Sequence, residues 1–397
     1  MDIRFSDRAG RFQASAIRNK LFDDPELISF AAGKPEPSAF PLEALEAAME
    51  QVLSDGGRRA LQYGPSEGIL PLREQIASER MKAAGVETSP DEIFLSSGSQ
   101  EGIELSARLF LNEGDHVACE SPSYTGAFGA LAPYAPRYVS IPMDENGMRM
   151  DALEAALRED PKIKLIYTIP DFQNPSGVTM SDERRRRMAE LAAAYRVPVI
   201  EDCPYGDLIF EGERHPAVKS FDREGWVLML GSFSKILAPG LRLGWICAAP
   251  PILDKLTMAK QGLNLQSGTL DQHLAARYLQ ENDIRAHIAE LRGLYRERRD
   301  RVAACIAEFF PAGIKYRAPQ GGFFFWLELD ERLDADALLK EAARDYKVAY
   351  VPGRSFFADR SHANFIRLSY SCVSLDEIET GMRRLGACLS AAYSRLT

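Results

Sequence analysis

Between residues 90 and 250, short apolar runs alternate with longer stretches of helical composition. The runs at 92–96, 116–119, 137–141, 164–168, 198–202, 226–230 and 243–248 read as strands. Among the stretches between them, 182–195 is built from Ala, Leu, Glu, Arg and Met, which favour helix. Ser181 is placed to cap it, and Asp182 and Glu183 suit the positive end of its dipole. Strands alternating with helices predict a largely parallel sheet covered on both faces.

After residue 250 the pattern changes. Residues 285–309 form a long charged helix pattern with no proline and a single glycine, Gly293, a natural bridge to a second unit. Beyond it, 322–329 and 364–370 are strand-like, and 334–345 and 375–394 are helical. The first 45 residues carry turns and prolines, among them Pro35, Pro37 and Pro41, and are expected to wrap over one of the units. The predicted division is a large α/β domain at 46–285 and a smaller α+β domain from 1–45 with 286–397. At 397 residues the chain can bury a sizeable core for both.

Composition narrows the function classes. The chain is 46% apolar and 26% charged, an ordinary globular balance, and its net charge of −9 argues against a general nucleic-acid binder. Two basic clusters, 184–187 and 296–301, lie in helix patterns with acids beside them and read as solvated helix faces. The six cysteines (Cys119, Cys203, Cys247, Cys305, Cys372, Cys388) have no C-x-x-C spacing and suit a reducing compartment. The five histidines show no metal-ligand spacing, so no metal site is expected. With no apolar leader and no run near the ~18 apolar residues of a membrane span, the expectation is a soluble, cytoplasmic protein.

The chemistry gathers where strands end. In parallel α/β sheets ligands bind beyond the carboxyl ends of the strands. Five such ends here carry polar residues: Ser97-Gly98-Ser99-Gln100, Ser121-Pro122-Ser123-Tyr124, the 170–177 segment with Asn174-Pro175-Ser176-Gly177, Asp202 with Pro204-Tyr205, and Ser232-Phe233-Ser234-Lys235. Each has a plain structural reading: a helix cap, a core tyrosine, a turn, a carboxylate (Glu201 or Asp202) paired with a surface arginine. Their convergence is more specific than any one of them.

Lys235 follows a buried strand, where an amine is costly unless it is partnered or covalently bound. The flanking serines and Arg242 would hold a phosphate dianion, and the N–H groups that open the helix after Ser97 would add donors. An amine beside a phosphate site suits pyridoxal 5′-phosphate held as a Schiff base. A carboxylate at Asp202 would then find its cation in the protonated pyridine nitrogen.

Taken with Tyr63-Gly64-Pro65-Ser66-Glu67-Gly68, Gly240-Leu241-Arg242 and Phe365-Ile366-Arg367-Leu368, these motifs resemble the class I/II aminotransferases of pyridoxal-phosphate fold type I over almost the whole chain. Ser15-Ala16-Ile17-Arg18 and Ala31-Ala32-Gly33 are most similar to the kynurenine/α-aminoadipate aminotransferase subgroup. The resemblance implies a three-layer large domain with a seven-stranded, mostly parallel sheet, a small domain from both termini, and a homodimer with shared active sites. It implies that Lys235 carries the cofactor and later moves a proton, that Asp202 keeps the ring nitrogen protonated, and that Asn174 and Tyr205 bond the ring oxygen. Tyr124 would stack on the ring. Ser99, Gln100, Ser232, Ser234 and Arg242 would anchor the phosphate, with Tyr63 reaching in from the partner. Arg367 would take the substrate α-carboxylate by a planar bidentate pair, assisted by Gly33 and Asn174.

The expected reaction moves an amino group from an L-amino acid to a 2-oxo acid with ping-pong kinetics. β-Elimination, decarboxylation or a cyclising synthesis would use the same cofactor residues. A non-enzymatic effector-sensing domain is disfavoured, because the matching pattern already begins near Ser15. For the substrate side chain, Arg11, Arg18 and Lys34 would suit an acid such as 2-aminoadipate or glutamate. The aromatic run from Phe323 to Trp326 would suit an aromatic donor. In this sequence Lys34 stands where the subgroup has an apolar residue, and Ser369 where it often has Asn.

Overall fold

The structure is a computed structural model that describes residues 3–12 and 24–396. Its central sheet runs in spatial order Ile93–Ser96, Gly244–Cys247, Val227–Ser232, Val199–Asp202, Ile163–Thr168, His116–Ser121 and Arg137–Asp144. A two-residue hairpin strand, Gly147–Met148, extends the last of these by antiparallel pairing. Gly244–Cys247 is antiparallel to both its neighbours, and the other pairs are parallel. All seven predicted strands are present. Three of the inner ones are buried at every residue, as a sheet with helices on both faces requires. Because Ile93–Ser96 runs with the parallel set, the five strand ends singled out in the sequence all open on one edge.

The helix Asp182–Tyr195 starts where its cap predicted: the Ser181 side chain accepts from the Arg184 backbone N–H. The long helix Ile284–Phe309 bridges to a four-stranded antiparallel sheet ordered Lys315–Tyr316, Phe324–Glu328, Phe365–Ser369 and Val351–Pro352. The strand Ile28–Ser29 pairs in parallel with Val348–Ala349, which lays the early chain against this smaller unit.

The basic clusters are not purely solvated faces. Arg185 is fully buried and donates to Asp171 at 2.7 Å and to the Pro170 and Met180 carbonyls. Arg298 and Arg299 are also buried, on Glu36 at 2.7 Å and Glu211 at 2.5 Å. In each cluster one stretch of arginines spans more than one side of the helix, so some must turn inward and take a partner. Among the described residues no helix is long and apolar enough to cross a membrane.

Candidate active site

The five strand ends line one cavity of about 190 Å³. Its wall includes Ser99, Gln100, Tyr124, Asn174, Asp202, Tyr205, Ser232, Ser234, Lys235 and Arg242 from the large sheet, with Gly33 and Arg367 closing it from the smaller unit. Of the residues singled out in the sequence, Tyr63 stands apart: it is 77% exposed and lies outside this cavity in its own chain. Arg18 lies outside the described residues.

One end of the cavity is built to hold an anion. The helix Ser99–Phe110 begins there with its unpaired N–H groups, and Gln100 is held by a 2.6 Å bond to the Gly126 carbonyl. Ser232 Oγ accepts from the Ser234 N–H at 3.1 Å. The Arg242 guanidinium is fixed by a 3.1 Å bond to the Ser97 carbonyl. Gly98 has φ +83°, a conformation that demands glycine, and a Cβ there would stand 2.6 Å from that guanidinium and push it aside.

The floor is a buried carboxylate. Asp202 accepts from the Tyr167 hydroxyl at 2.9 Å through Oδ2, while Oδ1 has no partner among the described residues. Burial pushes this carboxyl up to about 6, against the pull of the Tyr167 hydrogen bond. Among the described residues neither Asp202 nor Glu201 pairs with a surface arginine. Glu201 turns to the other side and accepts from the Val218 and Lys219 backbone N–H groups at 2.6 and 2.8 Å. Tyr167 was not legible as a partner, because it lies on a neighbouring strand 35 residues away.

Two cations face the opening. Lys235 Nζ donates to the Gly33 carbonyl at 2.9 Å, and burial, with the charges of Arg242 and Arg367, lowers its pKa to about 8. Arg367 is buried, with Nη1 on Asn174 Oδ1 at 2.9 Å and Nη2 on the Ala31 carbonyl at 2.7 Å, while its Nε has no partner among the described residues. Its guanidinium lies 4.2 Å from the Phe324 ring centre and 5.0 Å from that of Phe356. Burial lowers its pKa to about 10, which leaves it charged at neutral pH.

The predicted mouth residues divide. Arg11 pairs with Glu113 and lines a separate cavity, while Lys34 is exposed and off the wall. Of the aromatic run only Phe324 lines the cavity. Phe323 lies behind, 5.6 Å from the Tyr205 ring; Phe325 packs on Tyr370, and Trp326 stacks on Phe365. The strand's alternation turns neighbours apart. Phe356, Ile169 and Val351 complete the wall and were missed, because isolated apolar residues carry no sequence signal of a site.

Residues 25–385 match the family model described as aminotransferase class I and II. The chain is 41% identical over 96% of its length to an aromatic-amino-acid aminotransferase of Thermococcus litoralis, covering 93% of that protein. It is 38% identical over 97% of its length to a 2-aminoadipate transaminase of Thermus thermophilus, covering 96% of that one. A crystal structure of Pyrococcus horikoshii kynurenine aminotransferase superposes with a TM-score of 0.93 at 40% identity, over 98% of this chain and 97% of that one. The chain belongs to the class I and II aminotransferases.

The aminotransferase uses pyridoxal phosphate, and the site fits it. The partnerless Asp202 Oδ1 at the cavity floor suits a protonated ring nitrogen. The serines and Arg242 at the helix N-terminus suit the phosphate, and the Lys235 amine of lowered pKa suits a carbonyl carbon.

Proposed function

We propose that this aminotransferase moves the amino group of an L-amino acid (aromatic, 2-aminoadipate or glutamate) to a 2-oxo acid, with 2-oxoglutarate as acceptor, in two half-reactions of ping-pong form. Bound pyridoxal phosphate supplies the carbonyl that takes up the amine and a ring that withdraws electrons from the substrate Cα. Lys235 Nζ would take the proton from that Cα and hold it for return. Its pKa, lowered to about 8, leaves the amine mostly protonated at pH 7 and mostly free to accept a proton above pH 8. Asp202 would keep the ring nitrogen protonated. Tyr205, kept protonated by burial, and the Asn174 amide N–H would donate to the ring oxygen. Tyr124 would cover the ring.

Arg367 carries the substrate reading. Its partnerless Nε and its seat between two phenylalanines favour a planar carboxylate beside an apolar side chain. The aromatic, aminoadipate and kynurenine specificities of the relatives agree with a donor of that size.

The test is a spectral screen of the twenty common amino acids, kynurenine and 2-aminoadipate against the loaded enzyme. Aromatic donors and 2-aminoadipate or glutamate should convert the visible band to that of the amine form, and 2-oxoglutarate should restore it. Release of ammonia or carbon dioxide in place of that conversion would favour elimination or decarboxylation.

We also propose the domain division at 46–285 against 1–45 with 286–397, a cytoplasmic setting, and a homodimer in which Tyr63 reaches the partner's phosphate site. Exposed Leu61, Tyr63, Leu263 and Leu265 support the dimer, their two segments tied by the Gly64 N–H bond to Gln266 Oε1 at 2.7 Å. A sedimentation mass near 44.1 kDa would contradict it.

A further inference from the structure

Glu120 is the penultimate residue of the strand His116–Ser121 and is 2% exposed. No cation pairs with it among the described residues, so burial alone would make this carboxylate costly. What it has is donors. Thr168 Oγ1 reaches Oε1 at 2.6 Å, the Ile169 N–H reaches Oε2 at 3.2 Å, and Gln173 Nε2 reaches Oε2 at 3.0 Å. The same Gln173 nitrogen also donates to the Pro122 carbonyl at 2.8 Å.

These bonds reach two turns that bear site residues. Pro122 lies two residues before Tyr124, and Gln173 immediately precedes Asn174. Gln173 Oε1 in turn accepts from the Ser176 N–H and hydroxyl at 2.9 and 2.7 Å, which closes the turn around Asn174. Asn174 Oδ1 then accepts from Arg367 Nη1 at 2.9 Å. The path from carboxylate to guanidinium is therefore Glu120, Gln173, the turn, Asn174, Arg367.

We propose that Glu120 is a positioning residue for the transamination reaction: through Gln173 it fixes the turn that carries Asn174, and thereby the orientation in which Arg367 meets the substrate carboxylate. The assignment rests on the reading of Arg367 as the carboxylate site. Burial also pushes the Glu120 carboxyl up to about 7, with the Asp202 charge adding to the rise. Its protonation, and with it the acceptor capacity offered to Gln173, thus changes in the working pH range.

The experiment uses the cofactor-loaded enzyme and four variants: Glu120→Gln, Gln173→Met, the two combined, and Arg367→Ala. Glu120→Gln and Gln173→Met should each raise KM for the amino donor roughly tenfold with kcat changed far less, the visible spectrum retained, and the double variant no worse than the worse single one. Equal KM values in Glu120→Gln and wild type, or effects that add in the double variant, would overturn the proposal. Should Glu120→Gln not fold, Gln173→Met decides alone, and an unchanged KM rejects the path. If Arg367→Ala also leaves KM unchanged, the carboxylate reading itself fails. If only Arg367→Ala raises it, this inference fails and that reading stands.

Discussion

At the end of the strand Val199–Asp202, the two sides of the central sheet hold consecutive carboxylates with opposite fates. Glu201 and Asp202 are both buried, and burial raises both, to about 7 and about 6. Yet Glu201 is satisfied: each oxygen takes a backbone N–H of the 218–221 turn. Asp202 has one oxygen on Tyr167 and the other without a partner, facing a cavity. A raised pKa therefore does not separate structure from chemistry here. The orphaned acceptor does, because an unmet buried oxygen costs free energy until a donor arrives.

Substitutions on the two sides should break apart accordingly. The largest effect belongs to the cavity side: Lys235→Ala should abolish the visible absorbance of the loaded protein and lower turnover on the order of 10⁴-fold. An unchanged spectrum would mean that another amine holds the cofactor. Asp202→Asn should keep the cofactor bound and lower kcat by roughly 10²–10³-fold, since a neutral amide cannot stabilise a charged ring nitrogen. Glu201→Ala, one residue away, should leave kcat of the folded enzyme within about threefold while costing about 2–4 kcal/mol of stability through two orphaned N–H groups and a small void. Turnover assays and thermal melts on both variants test the contrast. A Glu201→Ala enzyme that is fully loaded but inactive would erase it.

The same strand shows how much of the molecule was legible. Its position, its direction and the presence of a carboxylate at its end followed from a local apolar run, and Lys235 and Arg242 from motifs a few residues long. Ser181 marked the start of its helix to the residue. Which of Glu201 and Asp202 lines the cavity did not follow from the run itself. Alternate side chains of a strand point to opposite faces, and what covers each face comes from distant parts of the chain. The motif resemblance chose Asp202, and the orphaned Oδ1 supplies the physical reason. Glu120 was missed on the same ground: its donors lie 48 to 53 residues on, so a strand-end glutamate looked ordinary. Arg11 was expected at the mouth as a cation for an acidic substrate, but Glu113 draws it to another surface.

The smallest effect is the most direct measure of what the satisfied side costs. An unfolded glutamate titrates near 4, whereas burial holds Glu201 at about 7 in the fold. Between those values the folded protein binds more protons than the unfolded chain. The stability linked to this group is therefore complete at the acidic end and is lost as pH rises through the folded value. Glu201→Gln keeps the shape and one acceptor but cannot titrate. Its melting temperature should fall less steeply than that of the wild type from about pH 5 to pH 7, a difference of a few degrees at most for a chain of this size. Parallel curves in scanning calorimetry would show that Glu201 stays ionised throughout. Its two backbone donors would then outweigh the burial that raises it.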